Sequence, residues 1–291
     1  MLPLRSIIGA IGVLEESDMK KRVISGAILV VVLILVMLVL PTKLPAALLI
    51  GAANAVAAYE LLYRTGYIRQ IRLVAYAGAM GFLTAIWSYL GSPHAYGLLG
   101  LLVFVMVLWG EMMASHIKMT FDKAAMCFVA GVVFPYLFSS LIRIHIMVAG
   151  RHLVVIAFLL AFLSDTGAYF AGSAFGSHKL APVISPKKTV EGVLGGMISA
   201  IVGMLLYGLI LRFGFKFQVN FLIAVVYGIL GSAISVFGDL SFSVMKRQTG
   251  IKDYGVVIPG HGGILDRFDS VIFVAPLVEI LLLVLPVAVQ A

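Results

Sequence analysis

Apolar runs of helix length recur along most of this 291-residue chain, separated by short polar segments. A run of about 20 residues lets an α-helix cross a hydrocarbon core of roughly 30 Å, and the alternating strands of membrane barrels are absent. Hydrophobic residues make up 62% of the chain, whereas soluble domains usually have about 45–50%. The sequence therefore predicts an all-α, polytopic integral membrane protein.

The apolar runs predict about nine transmembrane helices. The first, at 23–40, follows the basic stretch 19–22 and is too long for the core of a signal peptide, so we expect an uncleaved span. Residues 1–18 contain three acids and are interpreted as a leader or extension. The other eight spans are expected at about 44–63, 71–90, 95–113, 124–142, 152–175, 191–211, 219–241 and 267–289.

The positions of Lys and Arg predict the orientation of these spans. With a cytoplasmic N-terminus and Arg5 left aside, fifteen of the 21 basic residues lie on the cytoplasmic side and five on the other. This bias agrees with the positive-inside rule. We therefore expect the N-terminus and the two longest loops, 176–190 and 242–266, to face the cytoplasm. The five outer residues are Lys43, Arg143, Arg151, Arg212 and Lys216.

Other charges and the single cysteine exclude some classes of protein. The formal charge of +8 is typical of cytoplasmic loops and anionic headgroups, so we expect no nucleic-acid partner. Cys127 lies in an apolar run and has no partner for a disulfide. Glu279 lies near the middle of the ninth span, where an ionised side chain costs about 2.5–3.5 kcal/mol, so we expect it to face other helices or to be protonated.

Two regions follow from this distribution of polar residues. Residues 19–150 are expected to form about five N-terminal spans, and residues 151–291 about four spans that carry the chemistry. Within the second region, Asp165 lies late in the sixth span, where a carboxylate is costly unless it is paired or metal-bound. A purely structural hydrogen-bond network around Asp165 is the alternative.

A basic segment precedes the seventh span. In Ser185-Pro-Lys-Lys-Thr189, Ser185 is predicted as an N-cap and Pro186 as the first helical residue. Lys187 and Lys188 would then lie in the first turn, where ammonium and backbone N–H groups together could hold a phosphate. The alternative is that both lysines only set the topology and contact lipid headgroups.

The stretch from Asp239 to Asp269 contains the densest group of charges and glycines. Asp239, Ser243, Lys246 and Arg247 share one face if the eighth helix continues beyond the membrane.

Two further acids, Asp266 and Asp269, share a face at the start of the ninth span. Oxygen ligands from two helices suit Mg²⁺. Between the eighth and ninth helices, the run from Pro259 to Gly263 can bring backbone N–H groups close to a ligand.

The stretch from Ser243 to Asp269 resembles the signature of phosphatidate cytidylyltransferases, also called CDP-diacylglycerol synthases. The resemblance also includes Asp165-Thr-Gly-Ala-Tyr169 and the segment from Ser185 to Gly192, and covers about residues 160–270. The first five spans match only as apolar helices. Family members often have another basic residue after Gly176, where this chain has Ser177-His178. The signature residues are Ser243, Lys246, Arg247, Lys252, Asp253, Pro259, His261, Gly262, Gly263, Asp266, Arg267 and Asp269.

The resemblance implies attack of the phosphatidic acid phosphate on the α-phosphorus of CTP, giving CDP-diacylglycerol and pyrophosphate. On that view Asp239 and Asp266 are the best Mg²⁺ ligands, Asp269 and Asp165 are lesser ones, and a second metal ion is left open. Cations would neutralise the triphosphate, two lysines would hold the lipid phosphate, and His261 would donate to a phosphate or orient a ligand. The cations are Lys246, Arg247, Lys252 and Arg267, and the substrate-binding residues are Lys187, Lys188, Ser185, Thr189, Ser243, Gly262 and Gly263.

Two other functions remain as alternatives. A CTP-dependent lipid kinase of the dolichol-kinase type would use the γ-phosphate and need a general base. A transporter of an anionic lipid or phosphate compound would show inverted repeats and midplane charges. Under the preferred hypothesis, the expected partners are CTP, phosphatidic acid and the lipid bilayer, with a homodimer as a further hypothesis. The expected location is the bacterial inner membrane, with the site facing the cytoplasm.

Overall fold

The computed structural model describes residues 43–91, 94–115, 119–255 and 262–290. Within these ranges the chain forms a bundle of eight long helices. Seven of them are long and apolar enough to cross a membrane, so the chain is an integral membrane protein. They are α1 Leu44–Arg64, α2 Ile71–Leu90, α3 His94–Ala114, α4 Phe121–Ile146, α5 Gly150–Phe175, α6 Val190–Phe215 and α7 Phe221–Gln248. The eighth, α8, is Leu265–Val284.

These helices agree closely with eight of the predicted spans, and the first predicted span, at 23–40, lies outside the described residues. The helix α8 also contains 20 residues, but it has four charged side chains, more than any of the other seven. The helix α7 continues to Gln248, which confirms that Asp239, Ser243, Lys246 and Arg247 lie on one continuous helix.

Three of the helices have internal irregularities. The α-helical part of α1 is Leu44–Tyr59, followed by a π-helical turn at Glu60–Arg64. The helix α4 consists of Phe121–Phe128, a π-helical turn at Val129–Val133, then Phe134–Phe138 and Ser140–Ile146. The helix α5 consists of Gly150–Leu153 and Val155–Phe175. Such π-helical turns are rare and are frequently found at functional sites.

Two small antiparallel sheets, which the sequence analysis did not predict, join the helix ends. Strand β1 (Lys179–Ala181) pairs with β2 (Ser185–Thr189) between α5 and α6. Strand β3 (Phe217–Val219) pairs with β4 (Ala288–Gln290) near the other end of α6.

The hairpin shows that the prediction of Ser185 as an N-cap was wrong. Ser185 lies in β2 opposite Ala181, and α6 begins only at Val190, with Thr189 Oγ1 accepting from the Gly192 N–H at 3.1 Å. Proline disfavours a helical conformation in the residue before it, which here is Ser185. The residues that follow belong to strand β2, which pairs with β1. Lys187 and Lys188 therefore precede the helix and do not lie in its first turn.

Small residues let α6 pack closely against α5. A Cβ at Gly196 would lie 2.5 Å from the carbonyl oxygen of Ser164, and one at Gly192 would lie 2.8 Å from that of Ala168. Both positions require glycine, because only a missing side chain permits this backbone approach.

The helix α8 packs against α4, α5 and α7, and its residues Val271, Val274, Ala275 and Val278 are fully buried. An ion pair fastens its second half. Arg143 Nε donates to Glu279 Oε1 at 2.7 Å and Arg143 Nη2 to Oε2 at 2.9 Å. Glu279 thus faces other helices, as expected.

The outer-loop position predicted for Arg143 was wrong. The helix α4 extends to Ile146, and Arg143 also donates to the hydroxyl oxygens of Ser88 and Ser140 at 3.2 and 2.7 Å. A bidentate carboxylate and two hydroxyls together satisfy the guanidinium, so it can remain inside the helix bundle.

Replacing Gly196 by Ala should destabilise the bundle, while Gly110→Ala in α3 is the matched control. We expect Gly196→Ala to cost about 1–3 kcal/mol, because the new methyl group overpacks the α5–α6 contact. A Cβ at Gly110 meets no atom within 4 Å, so this control should be neutral or slightly stabilising. Denaturation in detergent micelles, followed by circular dichroism, measures both. Equal stability of the two variants would contradict the packing argument.

Candidate active site

Carboxylates from three helices lie together at one end of the bundle. Asp165 of α5 accepts from Ser270 Oγ at 3.0 Å and from Ser235 Oγ at 3.4 Å. Asp269 of α8 is 9% exposed and accepts from the backbone N–H of Ser270 at 2.8 Å. The charges of both aspartates interact with that of Asp239 on α7. The structure thus brings Asp165 together with the Asp239–Asp269 stretch.

Two lysines supply counter-charges to this group. Lys188 Nζ, from β2, forms an ion pair with Asp239 Oδ2. Lys246 Nζ, near the end of α7, contacts Asp266 Oδ1 at 2.9 Å. Each lysine contacts one of the four aspartates, Lys188 contacting Asp239 and Lys246 contacting Asp266, so carboxylates outnumber the ammonium groups that pair with them, a donor set that attracts a further cation.

Asp266 also binds the backbone of the chain that precedes α8. Its Oδ2 atom accepts from the N–H of Tyr254 at 2.7 Å and from that of Gly263 at 2.9 Å. Gly262 has φ +79°, and a Cβ there would lie 2.8 Å from Asp266 Oδ2. The two glycines thus allow the close backbone approach expected of them, but the Gly263 N–H points at a carboxylate of the protein.

Tyr254 is a buried residue of this site that the sequence analysis missed. Its hydroxyl donates to the Phe242 carbonyl at 3.0 Å, and Lys246 Nζ lies 5.6 Å from its ring centroid. Burial and the negative charges of Asp266 and Asp269 raise the pKa of Tyr254 above its usual range. The phenol therefore remains neutral and supports the Lys246 side chain.

The hairpin and the end of α7 contribute the remaining basic groups. Side chains alternate along a strand, so Lys187 is exposed while its neighbour Lys188 is half-buried beside Asp239. Arg247 Nε donates to the Ile184 carbonyl in the hairpin turn at 3.2 Å. A pocket of about 270 Å³ is lined by Arg247, Gly250, Ile251 and Lys252, and could accept an anionic group.

The other predicted residues have varied positions. Ser243 is buried on α7, and Arg267 is half-buried in the first turn of α8. Thr189 caps α6 through its side chain, and Ser185 is half-buried in β2. His261 lies outside the described residues.

Glu60 of α1 is a second residue that the sequence analysis missed as part of the site. It is completely buried, and its carboxylate accepts from the N–H groups of Ile264 and Leu265, each at 2.9 Å. The rule that an acid in an apolar segment needs a partner, applied above to Asp165, could have identified it.

Comparison with known proteins shows the family of this chain. The sequence profile described as "Cytidylyltransferase family" matches residues 20–285. This chain belongs to that family. A protein of Bacillus subtilis (strain 168) named "Phosphatidate cytidylyltransferase" is 33% identical over 276 residues, which cover 91% of this chain and 98% of the relative.

Two staphylococcal proteins with the same name are also similar. The one from Staphylococcus haemolyticus is 36% identical and covers 74% of this chain and 83% of its own length. The one from Staphylococcus saprophyticus is 39% identical, over 63% of this chain and 68% of its own length.

The family match at residues 20–285 extends far beyond residues 160–270, the range in which the sequence motifs alone showed the resemblance. It includes the N-terminal helices, and with them Glu60, while residues 1–18 lie outside it. Family membership makes this cytidylyltransferase an enzyme that transfers a nucleotidyl group.

The Lys246–Asp266 pair should show strong energetic coupling in a double-mutant cycle. Its side chains are only 13% and 8% exposed, so we expect Lys246→Met and Asp266→Asn to couple by about 1.5–3 kcal/mol. The Arg72–Glu111 pair, at 3.4 Å with Arg72 67% exposed, is the matched control and should couple by at most about 1 kcal/mol. Free energies of unfolding in mixed micelles measure both cycles. A coupling for Lys246–Asp266 no larger than that of the control would contradict the expected difference.

Proposed function

We propose that this enzyme is a phosphatidate cytidylyltransferase, which transfers CMP from CTP to phosphatidic acid and releases pyrophosphate. Two facts support the proposal: the relatives that carry this name align over most of the chain, and acidic and basic groups from α5, α7, α8 and the β1–β2 hairpin meet at one end of the bundle. The meeting of Asp239 with Lys188 is the observation that carries it, since this contact joins the carboxylate cluster to the basic hairpin.

The chemistry requires positioning more than proton transfer. The lipid phosphate is a monoester with a second pKa of about 6, so it is largely dianionic at neutral pH and can attack without a strong base. Its oxygen forms a bond to the α-phosphorus of CTP while the bond from that phosphorus to the bridging β-phosphate oxygen breaks. The protein must bring two polyanions together and stabilise the pyrophosphate that leaves.

The basic groups divide into two sets by position. Lys188, and Lys187 beside it, would hold the lipid phosphate, because the hairpin lies at the helix ends close to Asp239. The pocket lined by Arg247 and Lys252 would bind the triphosphate and the departing pyrophosphate. Lys246 and Arg267 would add positive charge to the second set, and His261 would donate to a phosphate oxygen.

The donor set fits Mg²⁺, a hard ion that prefers carboxylate oxygens, water and phosphates. Carboxylates outnumber the lysines that contact them, although among the described residues no three metal-binding side chains already form a coordination group. The residues that would hold the ion are Asp239, Asp266, Asp269 and Asp165, and a second ion is left open. When bound, Mg²⁺ would neutralise the CTP phosphates and the leaving pyrophosphate.

We place the site at the cytoplasmic face of the bacterial cell membrane, where CTP is available. The uneven distribution of Lys and Arg supports this orientation. The acyl chains of the substrate would enter sideways from the bilayer, between helices. A homodimer and the lack of a nucleic-acid partner remain predictions from the sequence.

Transfer of label from CTP distinguishes this function from a lipid kinase. Purified protein is incubated with phosphatidic acid, Mg²⁺ and CTP labelled at either the α or the γ phosphate. We expect α label in the lipid and γ label in pyrophosphate, because attack at the α-phosphorus breaks the α–β bridge. Appearance of γ label in a lipid, or failure to transfer α label, would show that the proposal is wrong.

The two neighbouring lysines should differ in importance. Lys188→Met is expected to lower kcat/KM by about 100-fold, the loss typical when a charge-stabilising donor is removed. Lys187→Met should have a much smaller effect, because its side chain is exposed and its neighbour alone contacts Asp239. Steady-state assays measure this difference, with equal amounts of folded protein for both variants. Equal losses in the two variants would remove the special role of Lys188.

A further inference from the structure

The carboxylate of Glu60 binds the beginning of α8 from a helix that contains none of the proposed catalytic residues. Glu60 is the first residue of the π-helical turn at the end of α1 and is 0% exposed. A carboxylate in such a position is strongly destabilising unless hydrogen bonds compensate for the lost water. Its hydrogen bonds therefore indicate what the residue does.

Those hydrogen bonds go to consecutive backbone groups at the N-terminus of α8. Glu60 Oε1 accepts from the Ile264 N–H and Oε2 from the Leu265 N–H, each at 2.9 Å. The helix α8 has no side-chain cap from its own N-cap residue, Ile264. A helix N-terminus has unpaired N–H groups and a partial positive charge. Glu60 accepts hydrogen bonds from two of these N–H groups and brings a carboxylate to the positive end of the helix, although it precedes Ile264 by 204 residues in the sequence.

Two glycines provide the space for this carboxylate. A Cβ at Gly255 would lie 2.5 Å from Glu60 Oε1, and a Cβ at Gly263 would lie 2.3 Å from Glu60 Oε2. Every residue other than glycine would thus collide with Glu60 at either position. The backbone before α8 is fitted around the carboxylate on both sides.

The contact determines where the aspartates of α8 lie. Asp266 follows directly after Leu265, and Asp269 lies one turn later. The Gly263 N–H donates to Asp266, and the next two N–H groups donate to Glu60. The three successive N–H groups are therefore all bound by carboxylates, which fixes both the start and the rotation of the helix.

We propose that Glu60 is a positioning residue for the reaction, which holds the start of α8 so that Asp266 and Asp269 face Lys246 and Asp239. The proposal rests on the proposed function for its kinetic consequence. It also assigns to the N-terminal helices a part in the active site, since α1 supplies the group that orients the catalytic carboxylates.

The central test compares Glu60→Gln and Glu60→Ala with the control Glu111→Gln. Glu111 is an acid of α3 that pairs with a largely exposed arginine. Glutamine keeps one acceptor oxygen, but its NH₂ group opposes one of the two N–H donors. We expect kcat to fall by about 10–100-fold in Glu60→Gln, as for other groups that orient metal ligands. The loss should be larger in Glu60→Ala and absent in Glu111→Gln. The KM values for CTP and lipid should change by less than the kcat.

Hydrogen–deuterium exchange provides a measurement that does not depend on activity. Peptides covering residues 262–269 should exchange faster in Glu60→Gln, while peptides from the middle of α8 keep the wild-type rate. A wild-type kcat in folded Glu60→Gln overturns the proposal. So does a low kcat with unchanged exchange at the start of α8, because Glu60 would then act directly and not through that helix.

A second variant tests the same contact from the other side. In Gly255→Ala the new methyl group would displace the Glu60 carboxylate, so this variant should show the same loss of kcat and the same faster exchange. If Glu60→Gln does not fold, a wild-type kcat in Gly255→Ala overturns the proposal. If the wild-type protein transfers no α label, the proposed function fails alone, and the exchange experiment still decides whether Glu60 holds α8.

Discussion

Burial of carboxylates at the end of an apolar bundle is the constraint on which the site depends. An ionised carboxylate removed from water costs several kcal/mol unless hydrogen bonds and opposite charges compensate. Here Lys188 of the hairpin compensates Asp239, and Lys246 compensates Asp266. Because each partner lies on a different element, satisfying the charges also brings the β1–β2 hairpin, α7 and α8 together. The same concentration of charge is what two polyanionic substrates and a divalent cation would require.

The central helix α8 shows how the two halves of the chain depend on each other. Glu60 binds its first residues, and Arg143 binds Glu279, about 20 Å further along at 1.5 Å per residue. Both partners come from the N-terminal helices. A helix with four charged residues would be a poor membrane span alone, but these contacts and its buried valines let it lie inside the bundle. The N-terminal helices thus contribute polar contacts to the catalytic half in addition to crossing the membrane.

Much of the fold could be predicted because hydropathy and helix length are local properties. The spans from 44 onward match observed helices to within a few residues at most ends, and the shared face of Asp239, Ser243, Lys246 and Arg247 follows from helical periodicity once α7 extends to Gln248. The errors occurred where the partner of a residue lies on another secondary-structure element. Ser185 resembled an N-cap but pairs with Ala181 in a strand. Arg143 resembled a loop residue but pairs with Glu279, 136 residues later.

By itself, the sequence determined the membrane class, most helix boundaries and the residue types of the site, because each depends on composition or on spacing within one segment. Its motifs were also sufficient to indicate the family to which the chain belongs. Only the tertiary structure decided which charges meet: Lys188 with Asp239, Lys246 with Asp266, and Glu60 with the backbone of α8. The physical reason is that the stability of a buried charge depends on a partner brought to it by the packing of other helices, and no pattern within its own segment specifies that partner.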